Sequence, residues 1–118
     1  MENKALTRFR GMLGFAMRAG KILIGTDLVC SALSKKGSGA VVTVLLCDSA
    51  SDGTKKKIYN KCEFYAKELR EIGIDPTELG RLLGKTYSPM VLGITDAGFA
   101  DEIRKALDSI EQPFPEKS

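Results

Sequence analysis

The sequence predicts an α/β domain, with helices packed on both faces of one central sheet of about four strands. Three observations predict it. Apolar residues recur at three- and four-residue steps in several segments, β-branched runs stand between those segments, and glycines or helix-capping residues separate one from the next. A chain of 118 residues that is 43% hydrophobic suits a single domain with one core, expected over residues 1–111 with residues 112–118 as a flexible tail.

Leu6, Phe9, Leu13, Ala16 and Met17 fall on one helical face, so residues 3–18 read as an amphipathic helix that Gly20 ends. Ile22-Leu23-Ile24 is a brief strand closed by Gly25. Thr26 then caps a second helix to about Lys35, with Leu28, Val29, Ala32 and Leu33 as its buried stripe. Gly37-Ser38-Gly39 breaks that helix. Residues 40–47 (AVVTVLLC) form a nearly continuous apolar run, the pattern of a central strand covered on both faces. Ser51 or Asp52 caps a third helix over residues 54–65, with Ile58, Cys62 and Tyr65 inward. Residues 67–72 (KELREI) hold a weaker strand. Asp75-Pro76-Thr77-Glu78 starts a fourth helix, with aspartate at the cap and proline at the first position, and that helix runs to Leu83 before Gly84. Residues 90–95 are the last strand. Residues 98–110 are the last helix, with Phe99, Ile103, Ala106, Leu107 and Ile110 inward.

Composition removes several function classes. No stretch approaches the ~20 apolar residues that span a bilayer, and residues 1–10 lack the apolar run of a signal peptide. Cys30, Cys47 and Cys62 are odd in number and lack Cys-x-x-Cys spacing, which suits reduced thiols in a cytoplasmic protein. The chain has no histidine, so the commonest general base and metal ligand is missing. No cofactor, metal site or catalytic constellation is expected. Charge is divided unevenly: residues 1–67 carry a net +7 and residues 68–118 a net −4. A basic half beside an acidic half suggests one surface that faces a polyanion.

Two places could hold that polyanion. The junction Lys21-Ile22-Leu23-Ile24-Gly25-Thr26-Asp27 joins a strand, a glycine and a helix start, where freed N–H groups can bond an anion or a base edge. Lys55, Lys56 and Lys57, followed by Lys61, fall in the first turn of the third helix, where the macrodipole disfavours cations by about 0.3–1 kcal/mol each. Cations kept at an unfavourable helix end point to phosphate contacts. Cys47, in a buried strand with no histidine to activate it, reads as an inert core thiol. Tyr87 and Phe99 are isolated, so they suggest no stacking platform.

A resemblance joins these pieces. Residues 13–21 (LGFAMRAGK) with Ile24-Gly25-Thr26, then 45–51 (LLCDSAS), Thr54-Lys55-Lys56-Lys57-Ile58, Lys61-Cys62-Glu63, 78–85 (ELGRLLGK), Ile94-Thr95-Asp96 and Gly98-Phe99-Ala100 resemble the bacterial YlxQ-like branch of the kink-turn-binding ribosomal protein family, typified by the archaeal large-subunit protein L-seven-Ae. The likeness spans roughly residues 10–107. It implies a three-layer α/β/α sandwich with a mixed sheet, and a non-enzymatic, ribosome-associated protein that binds structured RNA such as kinked stems with tandem sheared G·A pairs. Ribosomal or RNA-processing proteins are the further partners it suggests.

The resemblance implies RNA-binding residues Lys21, Gly25, Thr26, Asp27, Leu28 and Ser31 at the first junction and Arg81, Lys85, Thr86, Tyr87 and Ser88 before the last strand; the charge argument adds Lys55, Lys56 and Lys57 alongside. The family's junction reads Gly-Thr-Asn-Glu-x-x-Lys. This chain keeps Gly25 and Thr26 but has Asp27 for the asparagine, Leu28 for the glutamate and Ser31 for the lysine. An ionised Asp27 accepts hydrogen bonds without donating and repels phosphate; Leu28 offers no hydrogen bond and Ser31 no charge. These departures define an alternative from another class: a protein-interaction adaptor on the same fold with an eroded RNA-binding face.

Overall fold

The computed structural model describes residues 4–111. The expected tail, 112–118, lies outside them. The elements run α1 (Lys4–Arg18), β1 (Ile22–Ile24), α2 (Thr26–Ala32), β2 (Thr43–Cys47), α3 (Asp52–Phe64), β3 (Glu68–Ile72), α4 (Pro76–Leu82), β4 (Val91–Ile94) and α5 (Ala97–Glu111). The strands form one sheet in the order β1-β4-β2-β3. β4 runs antiparallel to both β1 and β2, whereas β2 and β3 are parallel, so the sheet is mixed.

The layers follow from where apolar side chains point. Alternate residues of β2 and β4 face opposite sides, as pleating requires. Leu45, Cys47, Leu92 and Ile94 pack with Phe9 and Leu13 of α1, Leu79 of α4, and Ile103, Ala106 and Leu107 of α5. Val44, Leu46 and Val91 pack on the other side with Val29 and Ala32 of α2 and Ile58 and Cys62 of α3. The chain is an α/β/α sandwich with α1, α4 and α5 on one face and α2 and α3 on the other. Every residue of β2 and β4 is buried, which is why the 40–47 run shows no alternation.

Local chemistry explains most boundaries. Gly20 takes φ 73° after α1, and Gly84 takes φ 76° after α4. The Asp75 carboxylate accepts the N–H groups of Thr77 (3.0 Å) and Glu78 (3.3 Å), and Pro76 fills the first helical position. Ser51 caps α3 by accepting the Thr54 N–H. α3 therefore begins at Asp52, two residues earlier than expected, and Lys55–Lys57 stand beyond its first turn, where the macrodipole penalty has largely faded.

α2 corrects two further expectations. Its cap is Gly25, at φ 107° and ψ 151° with no side-chain cap bond, so Thr26 is the first helical residue and not the cap. That backbone region is open essentially to glycine alone. Leu28 is 52% exposed, because Val29, Ala32 and Leu33 already supply the stripe that covers the sheet. The helix also stops at Ala32, short of Lys35.

One close approach fixes the loop between α4 and β4. A Cβ on Gly80 would lie 2.0 Å from the Tyr87 carbonyl oxygen and 3.2 Å from Pro89 Cδ. Gly80→Ala must therefore push loop 85–89 away from α4, and we expect a loss of about 1–3 kcal/mol in chemical denaturation, typical of overpacking. Gly53→Ala, in α3 with open space around its would-be Cβ, should be neutral or slightly stabilising in the same measurement.

Candidate nucleic-acid interface

The sheet topology gathers four connections at one end. The C-terminal ends of β1, β2 and β3 and the N-terminal end of β4 all lie there. So do the starts of α2, α3 and α4, which follow those three strands. This is where ligands usually meet an open α/β sheet.

Gly25 meets the first residue of β4, immediately after loop 85–90. The Gly25 N–H donates to the Val91 carbonyl at 2.9 Å, extending the β1–β4 ladder by one step beyond the Ile24–Leu92 pair. The Gly25 carbonyl accepts the Val29 N–H at 3.1 Å, which starts α2. On the other side of β4, the Cys47 N–H donates to the Met90 carbonyl at 2.8 Å, and its thiol lies 3.7 Å from the Pro89 carbonyl. From below, the Lys85 N–H donates to the Gly80 carbonyl at 2.8 Å, and the hydroxyls of Thr77 and Ser88 are 3.1 Å apart. The loop is thus held by β2 and α4, with the strand residue after it bonded to Gly25, while Thr86, Tyr87 and Ser88 remain exposed. Tyr87 is 54% exposed, and Asp27 and Leu28 are open on the adjoining start of α2.

The other expected residues divide. Arg81 is exposed on α4 and Lys85 half-buried at the loop's entry, both beside the loop. Ser31 lies one turn further along α2, in a shallow groove of about 320 Å³ that it lines with Leu23, Leu28, Lys35 and Thr95. Lys21 is at the opposite end of β1, where its carbonyl accepts the Thr95 N–H; four residues of strand put it about 13 Å from Gly25. Lys55 turns to the sheet edge and pairs with Glu71 at 3.6 Å. Lys56 and Lys57 are exposed, with no ion-pair partner among the described residues.

Most ion pairs fall on one layer. On the α1/α4/α5 side, Arg8 pairs with Glu102, Arg10 with Glu78, and Arg104 with Glu68 and Asp101. Arg70 of β3 pairs with Asp108 of α5 at 2.7 Å. Across the sheet, Lys35, Lys36, Lys56, Lys57 and Lys61 have no ion-pair partner among the described residues. Lys4, Arg18 and Arg81 on the α1/α4/α5 side also lack an ion-pair partner among the described residues, and of the free lysines Lys56 and Lys57 stand nearest the start of α3 at the Gly25 end.

Residues 7–104 match the family described as ribosomal protein L7Ae/L30e/S12e/Gadd45. The chain belongs to that family. Within it, the RNA-binding protein YlxQ of Bacillus subtilis (strain 168) is 35% identical over 97 residues, which cover 82% of this chain and 92% of that protein. The Enterococcus faecium protein of the same name is 30% identical, over 82% of this chain and 88% of its own. A solved structure of a protein of unknown function from Bacillus halodurans superposes with a TM-score of 0.76 at 34% identity, covering 86% of this chain and 97% of that one. The Giardia lamblia 15.5 kD RNA binding protein shares the fold at 14% identity and a TM-score of 0.70, covering 97% and 93%. This L7Ae-family chain thus has the sandwich and mixed sheet that the resemblance implied. Among the described residues, no group of histidine, cysteine, aspartate and glutamate is arranged to hold a metal, and no helix is long and apolar enough to cross a membrane.

The thiols behave as buried groups. Desolvation, then the charges of Asp48 and Asp75, pushes Cys47 from 9.0 to about 11; desolvation, then Cys30, raises Cys62 to about 11. Both raised values favour the neutral thiol in the native state. The stability they contribute is complete below pH 9 and is lost as pH rises toward 11. Denaturant midpoints should therefore fall between pH 9 and 11, and fall less in Cys62→Ala.

Proposed function

We propose that this chain is a non-enzymatic, cytoplasmic RNA-binding protein that grips structured RNA at the Gly25 end of its sheet. The observation that carries the reading is the juxtaposition of the exposed loop 86–88 with the glycine-capped start of α2, next to unpaired lysines. Backbone N–H groups and side chains from Gly25 to Leu28 and from Lys85 to Ser88 meet base edges and sugar–phosphate. Lys56, Lys57 and Arg81 flank that contact and neutralise phosphates. The names of the YlxQ relatives support RNA as the ligand. Kinked stems are the first substrates to test, with ribosomal RNA or a ribosomal assembly as the setting.

Asp27 and Leu28 shift how such an RNA is read. An ionised carboxylate accepts from a base amino group but gives nothing to a carbonyl edge, so recognition here relies on backbone donors, stacking and charge. Lys21 and Lys55 contribute little, the first by its distance and the second by its pairing with Glu71.

The test is a titration of labelled stem-loop RNA at two salt concentrations. We expect binding that weakens steeply with salt. Changing Lys56 and Lys57 together to glutamine should flatten the log–log salt slope by about 1–2, whereas Lys55→Gln should leave it nearly unchanged. Absence of binding even at low salt would remove the RNA reading and favour a protein partner on this face.

A further inference from the structure

The outer face of α3 carries a feature that the interface above does not use. Phe64 is 79% exposed, more than any other large apolar side chain among the described residues. Ile58 and Cys62 of the same helix are buried, at 0% and 3%, and Tyr65 packs against the same core cluster. At 100° per residue this directs Lys56, Asn60 and Phe64 outward as a single stripe, with Lys57 and Lys61 along one flank. Lys55 and Tyr59 lie on the other flank, where both engage Glu71 of β3. Asn60 is exposed, and the stripe's acidic neighbours are Asp52, one turn before Lys56, and Glu63.

Phe64 is held rather than loose. Its ring meets the half-buried Tyr65 ring edge-to-face, with centroids 4.8 Å apart and planes at 86°. The helix end is closed by Ala66 at φ 56°, with the Lys67 N–H bonded to the Cys62 carbonyl at 2.8 Å. A large aromatic side chain set in place yet left in water has lost freedom without gaining burial. A planar ligand recovers that loss, and every nucleobase presents such a plane.

We propose that α3 carries a second RNA contact, in which a single-stranded segment leaves the main interface, follows Lys56, Lys57 and Lys61, and stacks an unpaired base on Phe64. The inference rests on the RNA-binding reading and extends it to the class of RNA: a folded stem with an adjoining unpaired strand. Charge favours this occupant, since the lysines of the stripe have no ion-pair partner among the described residues. The length also fits. Lys56 to Phe64 is eight residues of helix, about 12 Å, the rise of three to four stacked nucleotides.

The chain contains no tryptophan, so Phe64→Trp places a lone reporter at the stacking position. Two RNAs are titrated, one stem-loop alone and the same stem-loop with about six unpaired nucleotides, with labelled RNA anisotropy reporting binding in parallel. We expect the tailed RNA to quench the tryptophan and the untailed one to bind without quenching. In the native chain the tail should tighten binding by roughly fivefold or more, a gain that Phe64→Ala reduces to near one and Phe64→Tyr retains. Binding of both RNAs with no quenching and no tail-dependent gain would overturn the second contact while leaving the main interface standing. If neither RNA binds at low salt, the RNA-binding reading fails and this inference falls with it.

Discussion

The hydrogen bond from the Gly25 N–H to the Val91 carbonyl ties the start of α2 to the strand that follows loop 85–90, the two parts of the proposed interface. It exists because β1 and β4 are antiparallel neighbours, which brings the exit of one strand against the entry of the other. Gly25 alone can make that bond and still turn into α2 in the next residue, since its φ of 107° is closed to side chains bearing a Cβ. Loop 85–90 is then fixed from two sides, by β2 through Cys47 and Met90 and by α4 through Gly80, while Gly25 holds Val91 at its exit. The result is a rigid rim with exposed side chains and backbone, the preorganisation that lets a small domain bind RNA without a large ordering cost.

The second organising feature is electrostatic. The uneven charge along the chain becomes an uneven charge across the sheet, because the acidic second half supplies α4, α5 and β3, whose carboxylates pair with the arginines of α1, β3 and α5. Exposed pairs of this kind stabilise little, about 0–1 kcal/mol each. They engage Arg8, Arg10, Arg70 and Arg104, while Arg81 of α4 and Lys56, Lys57 and Lys61 of α3 have no ion-pair partner among the described residues.

Much of this was legible in the sequence. Periodicity located α1 and α5, the apolar run of 40–47 announced a doubly covered strand, and Asp75-Pro76 marked a helix start that the carboxylate bonds bear out. Motif likeness paired Gly25 with loop 85–88, and the antiparallel β1–β4 pairing brings these segments, some sixty residues apart in sequence, to the same end of the sheet. The failures share a cause: tertiary placement decided what local pattern could not. Thr26 looked like a cap, but the ladder bond made by Gly25 claims that position. Leu28 matched an apolar stripe that its neighbours had already filled. Lys21 and Lys55 had the right charge but are led away, one by strand direction and one by Glu71. Phe64 escaped notice because an aromatic beside Tyr65 passes for core. The available signal was angular, since a helix that turns Ile58, Cys62 and Tyr65 inward must turn Phe64 out.

The proposed function depends on which end of the sheet meets the stem of the RNA. Amide resonances followed during titration with an untailed stem-loop RNA report this directly. The largest shifts should fall at residues 25–28 and 84–89, with little change at 37–39 and 95–98 around the opposite end. Large shifts at 37–39 and 95–98, with 25–28 and 84–89 unmoved, would contradict it.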